Sequence, residues 1–260
     1  MKWVRYEHHD TIRHGILEGT LIAEVEGALF DPPRKTGRSI ELRDVRLLVP
    51  VMPGTFYCVG YNYAEHANEF NTKARKIPTR PDVGYRTQSA LIAHEEAVLI
   101  PASSTAGTVQ YEGELVVVIG KRAKHVSKAD ALSVVFGYTI GNDISERSWQ
   151  KSDGTIWRAK NSDTFKPMGP WIETEVDLPS LRTRVRLNDK EVASFRTNDM
   201  IFGVADFVSE ISQCITLQTG DVIWMGTESP NHDMYPGDVV EIEIDGIGVL
   251  RNRVGLEKRP

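Results

Sequence analysis

The chain has 260 residues, 40% of them hydrophobic and 26% charged, with a formal net charge of −5 and a pI near 5.8. That balance is usual for a globular protein, and an acidic total gives no reason to expect nucleic acid or an anionic membrane as partner. Apolar runs such as "LVVVIG" fall far short of the ~20 residues that span a bilayer, and the charged opening "MKWVRYEHHD" has no signal-peptide core. A cytoplasmic location is the expectation. The two cysteines, Cys58 and Cys214, lack CxxC spacing, which disfavours a disulfide framework or a thiolate zinc site.

Residues 1–48 alternate short strand-like pieces with turns: "KWVRY", "HGILEG", "TLIAEVEG" and "RSIELRDVRLLVP". They predict a small N-terminal β domain over 1–50, with the proline-rich "VPVMPGT" as boundary and a larger domain over 51–260. The apolar "FYCVGYNY" predicts a strand ending at Gly60, followed by a helical "NYAEHANEF". The aperiodic stretch "NTKARKIPTRPDVGYRTQSA" predicts a loop carrying Lys73, Arg75, Lys76, Arg80 and Arg86.

The middle has a clearer pattern. "ELVVVIG" predicts a buried strand, "SKADALSVVFG" a helix opened by Ser127 and Asp130, and "YTIGNDIS" another strand. Residues 151–170 predict a long loop. Val204, Phe207, Val208, Ile211 and Ile215 recur at helical spacing, and "TGDVIWMG" and "PGDVVEIEIDG" predict late strands. Many strands and few helices place the chain in the α+β class, dominated by mixed β-sheet.

Within "VQYEGELVVVIGKR", Glu112 and Glu114 are two residues apart, so a strand would point both to one face. Like charges crowded together destabilise unless a cation or a shared proton relieves them. Asp143, near the end of the following strand, could join them. Three hard oxygen donors with no nearby Cys or paired His suit Mg²⁺ or Mn²⁺, and less well Ca²⁺. Spacing alone fits equally an exposed strand end and a turn capped by Asp143. His66 and Glu69, three apart on the predicted helix, could form a tautomer-fixed general base, although such a pair is ordinarily a solvated contact.

The run "YEGELVVVIGKRAKHVSKADALSVVFGYTIGNDISERSWQ", followed by "AKNSDTFKPMGPW", resembles the core of the fumarylacetoacetate hydrolase family. "CVGYNYAEHANEF" and "GDVIWMGT" match its upstream helix and closing strand, so the similarity covers about residues 50–250. The resemblance implies a β-roll or sandwich core with short helices. It also implies a divalent metal held by Glu112, Glu114 and Asp143, which would explain the paired glutamates.

By the same resemblance, His66 and Glu69 match a helical H-x-x-E pair and Lys160 a substrate-contacting lysine. Arg147 and Gln150 match positions that hold substrate oxygens, Thr227 the threonine of the closing motif, and Arg86 borders the pocket. The implied activity is metal-dependent hydrolysis of a carbon–carbon bond in a 2,4-dioxo acid such as an acylpyruvate, through a metal-stabilised enolate. The alternatives are decarboxylation of a 2-oxo dioic acid, isomerisation of a 2-hydroxy-diene-dioate of aromatic catabolism, or a non-catalytic protein that binds metal and 2-oxo acid. A homodimer is implied as well. Two departures border the pocket: Arg86-Thr87 stands where relatives carry Lys-Pro, and "GTESPNHDMYPGD" puts Glu228 where proline is usual.

Overall fold

A twelve-stranded sheet organises the chain, and its N-terminal quarter is a meander. The computed structural model describes residues 1–64, 78–104, 107–228 and 231–258. Strands β1 (Lys2–His8), β2 (Thr11–Glu18), β3 (Leu21–Glu26) and β4 (Arg34–Glu41) pair antiparallel in sequence order, and β5 (Arg46–Leu47) returns to β1. The β1–β2 link is His9–Asp10, both at positive φ, which is the two-residue turn whose twist matches a hairpin.

The central strands are β6 (Phe56–Val59), β7 (Val83–Tyr85), β8 (Leu91–Ile92), β9 (Val98–Ile100), β10 (Val109–Gln110) and β11 (Gly113–Ile119). There follow β12 (Val135–Asn142), β13 (Ser145–Glu146), helix α1 (Arg147–Ser152), helix α2 (Trp157–Asn161) and β14 (Lys166–Glu173). The C-terminal part holds β15 (Arg182–Leu187), β16 (Lys190–Arg196), helix α3 (Val204–Cys214), β17 (Val222–Trp224), β18 (Val239–Ile244) and β19 (Gly248–Leu256). The main sheet runs β4-β3-β2-β1-β14-β12-β11-β17-β6-β7, and a second sheet runs β16-β15-β18-β19-β9. The β1–β14 pairing, Trp3 opposite Ile172, makes the N-terminal strands continuous with the large sheet.

Strand β11 explains its own unbroken apolar run. Leu115, Val117 and Ile119 enter one core, shared with Val185, Val240, Ile242 and Ile244 of the second sheet and Phe207 and Val208 of α3. Val116 and Val118 enter another core on the opposite face, with Trp3, Phe56, Met168 and Trp224. A strand covered on both faces needs no polar alternation. Each such side chain contributes roughly 1.5–3 kcal/mol by leaving water.

Two expectations are corrected. The predicted helix in "SKADALSVVFG" is only a 3₁₀ turn over Ala131–Val134, after which the chain enters β12. Ser127 still donates its hydroxyl to Asp130 at 2.7 Å, but the β-branched Val134 and Val135 favour the sheet over a further helical turn. The stretch 151–170, expected as loop, contains the end of α1, all of α2 and the start of β14. Among the described residues no helix is long and apolar enough to cross a membrane.

Candidate metal centre and active site

Four strand ends meet at one edge of the main sheet. β12 and β17 each run antiparallel to β11, and β6 runs parallel to β17, so the C-termini of β6, β12 and β17 flank the N-terminus of β11. Gly113 faces Asn142 in the ladder, which brings Glu112 and Asp143 side by side. The Asp143 N–H donates to the Glu112 carbonyl at 2.9 Å, and Asn142 Oδ1 accepts from the Glu112 N–H at 3.0 Å. Past β17 the chain turns at Gly226, at φ +84, where glycine carries no Cβ penalty. The Gly226 N–H then donates to Glu114 Oε2 at 2.9 Å.

Glu112, Glu114 and Asp143 therefore converge: each offers a carboxylate oxygen within 4.8 Å of the others, and all three are buried. Their partners differ sharply. Asp143 accepts two hydrogen bonds from Arg86, at 3.1 and 2.9 Å, and pairs with Lys160 at 3.0 Å and Lys166 at 2.6 Å. Burial works to raise its pKa, but Arg86, Lys160 and Lys166 together hold it well below the usual carboxylate range. Glu112 pairs with Lys160 at 2.5 Å and Arg147 at 2.7 Å and accepts from Ser145 Oγ at 3.1 Å.

Glu114 has no ion pair among the described residues, and burial, with Asp143 and Glu112 beside it, pushes its carboxyl well above the ordinary range. A buried carboxylate short of positive charge, facing two others, is a donor set that a hard dication completes. The residues present fit such an ion.

The supporting shell is built locally. Glu146 caps α1 by accepting from the Trp149 N–H at 2.5 Å and from Ser148 Oγ at 2.7 Å. The capped helix places Arg147, which donates to Gln110 at 2.8 Å and Gln150 at 2.7 Å as well as pairing with Glu112. On α2, Lys160 bridges Glu112 and Asp143. Lys166, the first residue of β14, has no exposed surface and donates to the carbonyls of Ile144 at 3.0 Å and Phe165 at 2.9 Å. Burial pulls its ammonium down to about 8 against the opposing pull of Asp143.

A hollow of about 100 Å³ opens over the acids, lined by them and by Arg86, Gln150, Lys160 and Thr227, with Val59, Gly60, Tyr61, Ile156 and Gly226 as its less polar wall. Of the residues expected from sequence, Glu112, Glu114, Asp143, Lys160, Gln150, Thr227 and Arg86 line it together. Arg147 stands behind Glu112 and is not part of the lining. His66 and Glu69 lie outside the described residues. Sequence reasoning missed Lys166, whose signal was a lone lysine opening an otherwise apolar strand, "KPMGPW". It also missed Ile156, which nothing in the sequence marks.

Residues 55–255 match the family described as fumarylacetoacetate (FAA) hydrolase, C-terminal, and residues 1–50 match that described as Rv2993c-like, N-terminal. The human protein named oxaloacetate tautomerase FAHD2A, mitochondrial, is 36% identical over 224 residues, spanning 81% of this chain and 70% of that one. The crystal structure of 2-hydroxyhepta-2,4-diene-1,7-dioate isomerase from Mycobacterium marinum superposes with a TM-score of 0.90 at 37% identity, over 100% of both chains. Maleylpyruvate hydrolase from Sphingobium sp. SYK-6, solved with manganese (II) ion and pyruvate, superposes at 0.82 with 25% identity over 99% of this chain and 100% of that one. The strand-end acid centre and these likenesses together make the chain a member of the fumarylacetoacetate hydrolase family.

Proposed function

We propose that this protein is a divalent-metal-dependent enzyme acting on a 2-oxo acid through its enol, with Glu112, Glu114 and Asp143 as ligands for Mg²⁺ or Mn²⁺. One observation carries the reading: Glu114 is buried against two other carboxylates and has no cation of its own among the described residues. When bound, the ion would supply a Lewis acid that polarises the 2-oxo carbonyl and offsets the charge developing on its oxygen.

The protein's own groups do the rest. Arg86 and Lys166 hold Asp143, and Arg147 holds Glu112, so the acids keep their places whether or not substrate is present. Around the three acids stand four cations, Arg86, Arg147, Lys160 and Lys166, so a dication there leaves the centre positive and receptive to an anionic substrate. Gln150 and Thr227 line the hollow and offer hydrogen bonds that orient the acid head, and Lys160 Nζ, bonded to Glu112 and Asp143, adds its positive charge beside it. His66, oriented by Glu69, is assigned the proton transfer on its i, i+3 spacing and the family resemblance.

Keto–enol isomerisation is the first reaction to test, because the relatives named as tautomerase and isomerase share 36% and 37% identity with this chain. Hydrolytic carbon–carbon cleavage of a 2,4-dioxo acid is the second, favoured by the His66–Glu69 pair and by the likeness to maleylpyruvate hydrolase. Metal-stripped protein should leave the ultraviolet band of enol oxaloacetate decaying at its spontaneous rate, and Mg²⁺ or Mn²⁺ should restore acceleration. An acylpyruvate in the same assay reports cleavage, through loss of its diketone band and release of a carboxylic acid. Equal rates with and without metal, on both substrates, sink the proposal. His66→Ala should slow the active reaction by roughly a hundredfold or more.

A further inference from the structure

Arg147 does not line the hollow, but Gln150, which it holds, does. The guanidinium has three side-chain partners: Nη2 pairs with Glu112 Oε1 at 2.7 Å, Nη1 donates to Gln150 Oε1 at 2.7 Å, and Nε donates to Gln110 Oε1 at 2.8 Å. A guanidinium has donors only, so each partner must turn an oxygen towards it. The Gln150 oxygen is engaged in this way, and the polar atom its side chain has to offer the hollow is the Nε2 donor.

Gln110 repeats the logic one step further from the hollow. Its Oε1 accepts from Arg147, and its Nε2 donates to Asp233 Oδ1 at 2.9 Å. An ionised aspartate only accepts. With a donor-only group on one side and an acceptor-only group on the other, the Gln110 amide has a single orientation. A flipped amide would set its NH₂ against the guanidinium and its oxygen against the carboxylate. The aligned bonds also strengthen one another. Backbone pairing holds both ends in place: Gln110 pairs with Ser145 and bridges to Asp233, and the Met234 N–H donates to the Val109 carbonyl at 2.7 Å. Asp233 belongs to the stretch after Thr227 that departs from the family pattern, and it does not line the hollow.

We infer that Asp233 is a positioning residue: through Gln110 and Arg147 it fixes the Gln150 amide so that an N–H donor meets an oxygen of the anionic head bound in the hollow. The inference rests on the 2-oxo acid reading above and deepens it. It gives the unusual turn a part in ligand recognition without contact to the ligand. The guanidinium that anchors Glu112 also sets the ligand's grip, so acid and amide are placed by one group.

The test is calorimetric titration of Mn²⁺ into metal-stripped protein and of pyruvate into the Mn²⁺-loaded protein, with thermal melting alongside. The proteins are wild type, Asp233→Ala, Asp233→Asn, Gln110→Leu and the Asp233→Ala/Gln110→Leu pair. Asp233→Ala should weaken pyruvate binding by at least about fivefold. Its Mn²⁺ affinity should stay within about twofold, because Glu112 keeps Arg147 and Lys160. Asp233→Asn retains an oxygen that can accept from Gln110, so both affinities should stay within about twofold of wild type. In the Gln110→Leu background the Asp233→Ala change should have no further effect, because it acts through that amide. A lower melting temperature with unchanged pyruvate affinity in Asp233→Ala would reduce Asp233 to a structural anchor and overturn the assignment. Equal losses in the Ala and Asn variants, or additive losses in the pair, would overturn it too. Failure of wild-type protein to bind pyruvate at all with Mn²⁺ present would instead overturn the 2-oxo acid reading, and this one with it.

Discussion

Glu24 on β3 and Glu114 on β11 are buried glutamates of the same sheet, 8% and 3% exposed, yet their surroundings are opposites. Both Glu24 oxygens are taken: Arg13 donates to one at 2.5 Å, and Arg38 donates to the other through Nε at 2.9 Å. Burial works to raise the Glu24 pKa, but the hydrogen bonds from Arg38 and Arg13 outweigh it and hold the carboxyl below its usual range. Glu114 receives one backbone N–H, from Gly226, and its pKa moves the other way. Burial of an acid is thus uninformative by itself. What sets Glu114 apart from Glu24 is that the fold supplies it no counter-charge of its own and places it beside two further carboxylates.

The sharpest way to break this comparison is to neutralise each glutamate in turn, and Glu114→Gln should give the larger effect. It removes one of the three proposed metal ligands, so kcat/KM should fall by at least roughly a hundredfold and the affinity for Mn²⁺ should fall with it. In chelator, however, the same variant should be more stable than wild type by about 1–3 kcal/mol, because an uncompensated buried charge has gone. Enol-band kinetics, metal titration calorimetry and urea melts in EDTA check the three parts. A variant that keeps its metal affinity would show that Glu114 is not a ligand.

Lys166→Met ranks next. The lysine is fully buried, with its ammonium 2.6 Å from Asp143 and bonded to two backbone carbonyls. Methionine fills similar volume but leaves the Ile144 and Phe165 carbonyls without this donor, so stability should fall by about 1–3 kcal/mol. Asp143 keeps Arg86 and Lys160, so Mn²⁺ affinity should change by no more than roughly tenfold to a hundredfold. Urea melts and calorimetry on one preparation separate the effects. A loss of metal binding as complete as that of Glu114→Gln would make Lys166 part of the centre rather than its support.

Much of this centre is legible in the chain, for identifiable reasons. The apolar run Leu115–Ile119 announces a strand buried on both faces, and the alternate Glu112 and Glu114 announce a charge problem that burial makes acute. Asp143 is locatable because β11 and β12 are neighbours in sequence and pair antiparallel, so the start of one lies beside the end of the other. The cations are harder to assign. Arg86 reads as a pocket residue among several basic neighbours and does line the hollow, but nothing local shows that its guanidinium is bonded to Asp143, 57 positions away. Arg147 reads as a substrate clamp, and the ion pair it makes with Glu112 is not visible in the sequence. A long basic side chain can reach many targets, and only the sheet register decides which carboxylate it meets. Ile156 is invisible for a different reason, since nothing local predicts a left-handed isoleucine when the backbone path is set by tertiary packing.

Glu24→Gln should give the smallest effect and the cleanest contrast. It lies in the N-terminal meander, bonded to Arg13 and Arg38 and to none of the cations around the three converging acids, so metal affinity and kcat/KM should stay within about twofold of wild type. At about pH 7 the variant should lose about 1 kcal/mol of stability, a modest figure because Arg38 is 67% exposed and water screens the pair. The folded-state pKa of Glu24 lies below its unfolded value, so its contribution is fully present above the ordinary carboxyl pKa of about 4.3 and is lost as pH falls through the folded value. The stability gap between wild type and variant should therefore hold from neutral pH down to the mid-carboxylate range and close on further acidification. Urea melts across that range measure it. A gap that widens as pH falls would mean that Glu24, like Glu114, is a carboxylate that the fold holds against its charge.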